Sequence, residues 1–413
     1  MKKIVAVLIL LMVLALQFSG CWDRRELEGL AIVQALALDP PAHGGKGVKV
    51  TTMIAIPAQM KGGEGGGGSE AGTFLFSMEA PTIYEAFNKI NTTINREITL
   101  LQNSVIIVSD ALAKKGMRPW LDNLVRYREM RRTVELFVSQ GDAAAILKVQ
   151  PKLEKNPSEY FRDLVSLSSR NGMFPVVDIN QFMESMEAYA EETYAPYLAK
   201  YQQEDGADGA GGKEGSGEKS SDQSEPPKET PKDVRIIGTA IFKKDKMIGA
   251  LDNYESQILL LLVNQFHEAF MSIQDPRKPQ FRIVYRLLTN DPTTVKYRRA
   301  GDRDRFSVQV RVEADLVSIQ SGIDYTKPWQ EAFLSQRIAA ELNGRIKRLI
   351  AKAQRQYDTD LLGFGLKVRE SVLTSKEWED YRWPDRFRDA EFATEVKVAI
   401  RRVGIQFQPP GMR

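Results

Sequence analysis

The most regular alternation in the chain lies near its end. Phe306, Val308, Val310, Val312, Ala314 and Leu316 alternate with Ser307, Gln309, Arg311, Glu313 and Asp315, the signature of a half-buried antiparallel strand. One face of that strand must be covered. A helix predicted over 329–357 supplies the cover, because Leu334, Ile338, Leu342, Ile346, Leu349, Ala353 and Tyr357 recur every three or four residues. Strands predicted over 282–288, 294–300 and 395–403 complete a sheet, giving an α+β domain with Trp378 and Trp383 as core anchors.

The first third reads differently. Apolar strands over 30–38 and 48–57 join through a glycine turn, and Phe74 to Ser77 reads as a further strand. After Pro81 a helix carries Ile83, Phe87 and Ile90 on one face. Then follow an apolar strand over 99–109, a helix over 119–131, a strand over 133–139, and a helix to Val149 with Gly141-Asp142 at its cap. Strand and helix in turn predict an α/β domain. Helices over 158–169 and 179–190, a hairpin over 234–242 and 247–251, and an apolar helix over 253–273 come next.

Two stretches interrupt these patterns. Residues 61–72 are nearly all glycine, glutamate and serine, so the formal GxGxxG at Gly63 to Gly68 is a chance match rather than a phosphate cradle. Residues 202–232 hold almost no apolar side chain and cannot offset their ordering entropy, so disorder is expected there. The predicted organisation is a signal segment 1–20, an α/β domain 21–150, a middle domain 151–275 containing the 202–232 excursion, and an α+β domain 276–413. The fold class is thus mixed α/β and α+β, multidomain, with antiparallel and mixed sheets each covered by helices.

The start of the chain points to its location. Lys2 and Lys3 precede thirteen apolar residues, 4–16, and then Gln17-Phe18-Ser19-Gly20-Cys21, the order of a secretory signal. Thirteen residues of helix rise only about 20 Å, short of a hydrocarbon core of roughly 30 Å. Small residues before the chain's only cysteine resemble a bacterial lipobox, in which Cys21 would carry diacylglycerol and become the mature N-terminus. Two acyl chains give stable anchoring where one does not.

Directly after it, Cys21-Trp22-Asp23-Arg24-Arg25-Glu26-Leu27 leads into an apolar strand ending in Asp39. With Ile83-Tyr84-Glu85-Ala86-Phe87-Asn88, Asn103-Ser104-Val105-Ile106-Ile107-Val108-Ser109, the hairpin Gly238 to Leu251, and Asp360-Leu361-Leu362-Gly363-Phe364-Gly365, the chain resembles the Ger(x)C lipoproteins over its whole length. These are the C subunits of spore nutrient germinant receptors. The resemblance implies a lipid-anchored, non-catalytic subunit at the outer face of the spore inner membrane, with A and B receptor subunits as partners. The competing reading is a solute-binding lipoprotein of an importer, which needs two similar α/β lobes around a cleft.

Charge and chemistry narrow the field further. In 413 residues, 57 basic and 54 acidic side chains leave a net +3, too small a field to point to nucleic acid. His43 and His267 lack metal-ligand spacing, and GxSxG, P-loop, HExxH and CxxC motifs are absent from the sequence, so no catalytic residue, cofactor or metal is expected. Arg126, Arg128, Arg131 and Arg132 read as a solvated helix end favoured by the helix dipole. On the long C-terminal helix, Arg345, Arg348, Lys352 and Arg355, with Arg337 and Lys347, have one acid near them, Glu341, the other, Glu331, standing in the first turn. They mark a candidate membrane or partner surface, against the plainer reading of a solvated face.

Overall fold

The computed structural model describes residues 3–5, 26, 29–55, 73–149, 157–188, 190–201 and 234–402. Cys21, most of the signal segment, the glycine tract and the 202–232 excursion lie outside the described residues.

The first sheet has nine strands: β1 (Leu30–Asp39), β2 (Val48–Ala55), β3 (Thr73–Ala80), β4 (Glu97–Thr99), β5 (Val105–Ser109), β6 (Glu135–Ser139), β7 (Tyr194–Lys200), β8 (Val234–Lys243) and β9 (Lys246–Leu251). Their order is β3-β2-β1-β5-β6-β7-β8-β9, with β4 beside the start of β1. At its centre β1, β5, β6 and β7 run parallel, while the edges are antiparallel. Parallel neighbours need crossovers. Among the described residues, six helices lie along this part of the chain: α1 (Ile83–Asn91), α2 (Asp110–Lys115), α3 (Arg118–Arg126), α4 (Ala143–Leu147), α5 (Pro157–Asn171) and α6 (Ile179–Glu187). On one face Leu36, Ile106 and Val138 pack with Ile83, Leu121 and Phe182 of α1, α3 and α6; on the other Ala37, Ile107 and Phe137 pack with Ile146 and Phe161 of α4 and α5. Covered twice, β5 is buried at every position, hence its unbroken apolar run.

Three local expectations change. The strand expected over 99–109 is split, because the Asn103 N–H donates to the Leu100 carbonyl at 2.9 Å and makes a turn between β4 and β5. The helix expected to reach Arg131 ends at Arg126. Asp142 occupies the cap of α4 without capping it; the Ala143 and Ala144 N–H groups donate instead to the two carboxylate oxygens of Asp39, at 2.7 and 2.9 Å, where β1 ends. The boundary expected at 150 falls within this one sheet, which gathers strands from both sides of it.

The second sheet is built on β13 (Arg303–Ile319), with β10 (Glu268–Gln274), β11 (Arg282–Leu288), β12 (Thr294–Ala300) and β14 (Glu391–Arg402). One side of β13 pairs with β12 and then β11, both antiparallel; the other carries β14 in parallel. The crossover to β14 contains α8 (Pro328–Lys352), after α7 (Asn253–Leu262), and then α9 (Phe364–Arg369), α10 (Ser375–Tyr381) and α11 (Trp383–Arg386). Leu334, Ile338, Leu342, Ile346 and Leu349 of α8 are buried against the inward residues of β13, as the two periodicities require. Trp378 and Trp383 are buried in the same core. The helix expected over 253–273 is corrected: α7 stops at Leu262, Asn264 takes a left-handed φ of 61°, and Ala269, Met271 and Ile273 then alternate inward as β10.

Candidate functional site

Three places bear on function: the end where the chain enters the first sheet, the junction between the two sheets, and the basic face of α8. The entry is at Leu30, which pairs with Glu97 of β4. Because β1, β5 and β6 are parallel, the turns leading into β5 and β6 lie at this same end. Among the described residues no helix is long and apolar enough to cross a membrane. Cys21, nine residues before Leu30, lies outside the described residues.

The junction centres on Asp360, which is buried. Its carboxylate accepts from the N–H groups of Leu362, Phe364 and Gly365 and from Trp383 Nε1, at 2.7 to 3.2 Å. Burial pushes this carboxyl up to about 6, against the pull of those four donors. Its carbonyl accepts from the Glu192 N–H at 3.0 Å, and the Glu192 carboxylate accepts from the Lys244 N–H at 2.5 Å. Lys243 donates to Asp358 at 3.1 Å. Gly365 is required here, since a Cβ would lie 2.1 Å from the Ala190 carbonyl oxygen. A cleft of about 320 Å³ at this junction is lined by charges already paired, Arg118 with Glu187 and Lys243 with Asp358. Among the described residues no group of three or more His, Cys, Asp or Glu side chains is placed to hold a metal.

The four cations singled out on the long helix, three on α8 and Arg355 in the π-helical turn Ala353–Tyr357 that continues it, separate into two pairs. Arg345 donates to Glu341 at 3.0 Å and lies over the Tyr254 ring, and Lys352 donates to both oxygens of Glu255 at 2.7 Å. These two turn toward α7. Arg348 and Arg355 stay in solvent, Arg348 with Glu341 at 3.7 Å.

Two features were not read as functional from sequence. Asp360 was visible only inside a motif; its spacing ahead of two glycines is the signal of an acceptor clasping a turn. The sequence reads Arg126, Arg128, Arg131 and Arg132 as a helix end, yet the helix stops at Arg126, so Arg128, Arg131 and Arg132 belong to the loop before β6.

Known proteins resemble this chain along its whole length. Residues 23–200 match the family model described as spore germination protein N-terminal domain, and 237–404 match the model described as spore germination B3/GerAC like, C-terminal. Spore germination protein KC of Bacillus subtilis (strain 168) is 26% identical over 99% of this chain and 97% of its own. Spore germination protein GerQC of Bacillus cereus is 22% identical over 96% and 98%. The crystal structure of the GerBC protein aligns with a TM-score of 0.54 and 16% identity, over 92% of this chain and 99% of that one.

Proposed function

The chain belongs to the GerAC-like family of spore germination proteins, and from that premise we propose that it is the lipid-anchored, non-catalytic subunit of a membrane germinant-receptor complex. Diacylglycerol on Cys21 holds it at the outer face of the spore inner membrane, beside A and B subunits. The observation that carries this reading is the joint presence of both family domains along one chain and a lipobox-like Ser19-Gly20-Cys21 directly before them. Two anchoring acyl chains remove the need for a spanning helix. The importer reading finds less support: its two lobes should be alike, whereas one half here is a nine-stranded mixed sheet and the other a five-stranded one.

The test is germination itself. Spores lacking this chain but retaining their A and B subunits should fail to lose refractility on nutrient addition, and the intact chain should restore the response where Cys21→Ala does not. Normal germination without the chain would contradict the proposal. Heat released on titrating amino acids or sugars into the mature chain, with germination unaffected by its loss, would favour the importer reading.

A further inference from the structure

The last residue of α3, Arg126, and the loop from there to β6, with Arg128, Arg131 and Arg132, place four arginines in solvent within seven residues, and none of the four has an acidic partner among the described residues. The one acid among them, Glu129, is turned inward: its carboxylate accepts from Thr99 Oγ1 at 2.9 Å and from the Leu100 N–H at 3.3 Å. The loop is firmly held. Met130 is buried, the Met130 N–H donates to Tyr127, and the Asn180 N–H donates to the Arg132 carbonyl. Four guanidinium groups therefore project from a fixed frame with their local counter-charge withdrawn.

Topology places this frame at the tether. Thr99 pairs with Ile32, two residues beyond Leu30, so Glu129 fastens the loop to the end of β4, the neighbour of the strand by which the chain arrives from Cys21. Nine extended residues reach at most about 30 Å, which keeps this end of the sheet near the membrane that Cys21 would enter. Leu101, half exposed on the adjoining turn, adds an apolar tip. Arginine suits phosphate because its planar fork donates two parallel hydrogen bonds. Of the four cations on and just after α8, by contrast, three have acidic partners, Arg345 and Arg348 in Glu341 and Lys352 in Glu255.

We propose that the Arg126 to Arg132 loop docks the tether end of the first sheet on anionic lipid headgroups, fixing the orientation of a protein that its acyl chains alone would leave free to swing. The proposal rests on Cys21 being the anchor, and its test is independent of acylation. The mature chain with Cys21→Ser is sedimented with phosphatidylglycerol-rich or pure phosphatidylcholine vesicles at low salt. The expected result is binding to the anionic vesicles only, weakened about fivefold for each of Arg128→Gln, Arg131→Gln and Arg132→Gln, with thermal unfolding unchanged because all three are exposed. A control, the α8 variant Lys347→Gln with Arg348→Gln, combined with Arg355→Gln in the turn after it, should stay within about twofold of the parent. Unchanged binding in the loop variant, equal binding to neutral vesicles, or loss confined to the α8 variant would overturn the proposal. Binding of the loop to an acidic protein partner instead would show as unchanged vesicle binding.

Discussion

The two sheets solve burial in opposite ways. The first is covered by helices on both faces, so polar groups inside it are isolated from solvent. Glu135 at the start of β6 is the example: burial pushes its carboxyl up to about 7, and its Oε2 has no partner among the described residues. The second sheet is covered by α8 on one face only. Its open face is faced with ion pairs, where Arg286 and Arg401 reach Asp315 at 2.9 and 3.3 Å. Burial pushes Asp315 up, but the two guanidinium groups outweigh it and hold its carboxyl below the usual range. The lesson is that one chemical group, the carboxyl, acquires opposite pH behaviour from the number of faces its sheet has covered.

The comparison breaks most sharply at the junction. Asp360→Ala should cost about 4 kcal/mol, because it leaves four buried N–H donors without an acceptor, and denaturant unfolding should reveal it as two separated transitions. The wild-type carboxyl has its folded value, about 6, above its ordinary 3.8. Its contribution is therefore fullest below about pH 4 and declines as pH rises through about 6. Within the sheets, Ile107→Ala should cost about 3 kcal/mol, while Val317→Ala on the open face of β13, where the side chain is 53% exposed, should stay within about 0.5 kcal/mol. Equal costs would show that the second sheet is covered on both faces in solution.

Titration gives the finer test. Glu135→Gln should gain on the wild type by on the order of 1 to 2 kcal/mol as pH rises from about 4.5 past 7, since it removes a carboxyl that folding prefers protonated. Asp315→Asn should behave in the opposite sense. The wild-type advantage is present above the unfolded carboxyl value and disappears as pH falls through the lowered folded one. Melting curves of the two variants against pH check both signs.

Legibility in the sequence follows the same divide. On the one-sided sheet, solvent forces polar residues into every second position, so β13 and its covering helix could be read residue by residue. β5, buried on both faces, carries no alternation, and the break before it is signalled only by the polar Gln102-Asn103-Ser104 between two apolar runs. The helix expected beyond Leu262 failed for a related reason: its apolar content was visible, but the left-handed Asn264 and the period-two alternation of Ala269, Met271 and Ile273 decide in favour of a strand. Of the candidate sites, the motif around Asp360 was visible as a pattern, whereas its role depends on Trp383 and Ala190, which only the fold brings near. The α8 cations could be counted from sequence; their pairing with Glu255 across 97 residues could not.

The measurement that bears most directly on a lipid-anchored receptor subunit is the mass of the N-terminal peptide of the chain recovered from membranes. The account predicts a peptide beginning at Cys21 and carrying a thioether-linked diacylglycerol; a chain that retains residues 1–20, or begins at Cys21 with an unmodified thiol, would contradict it.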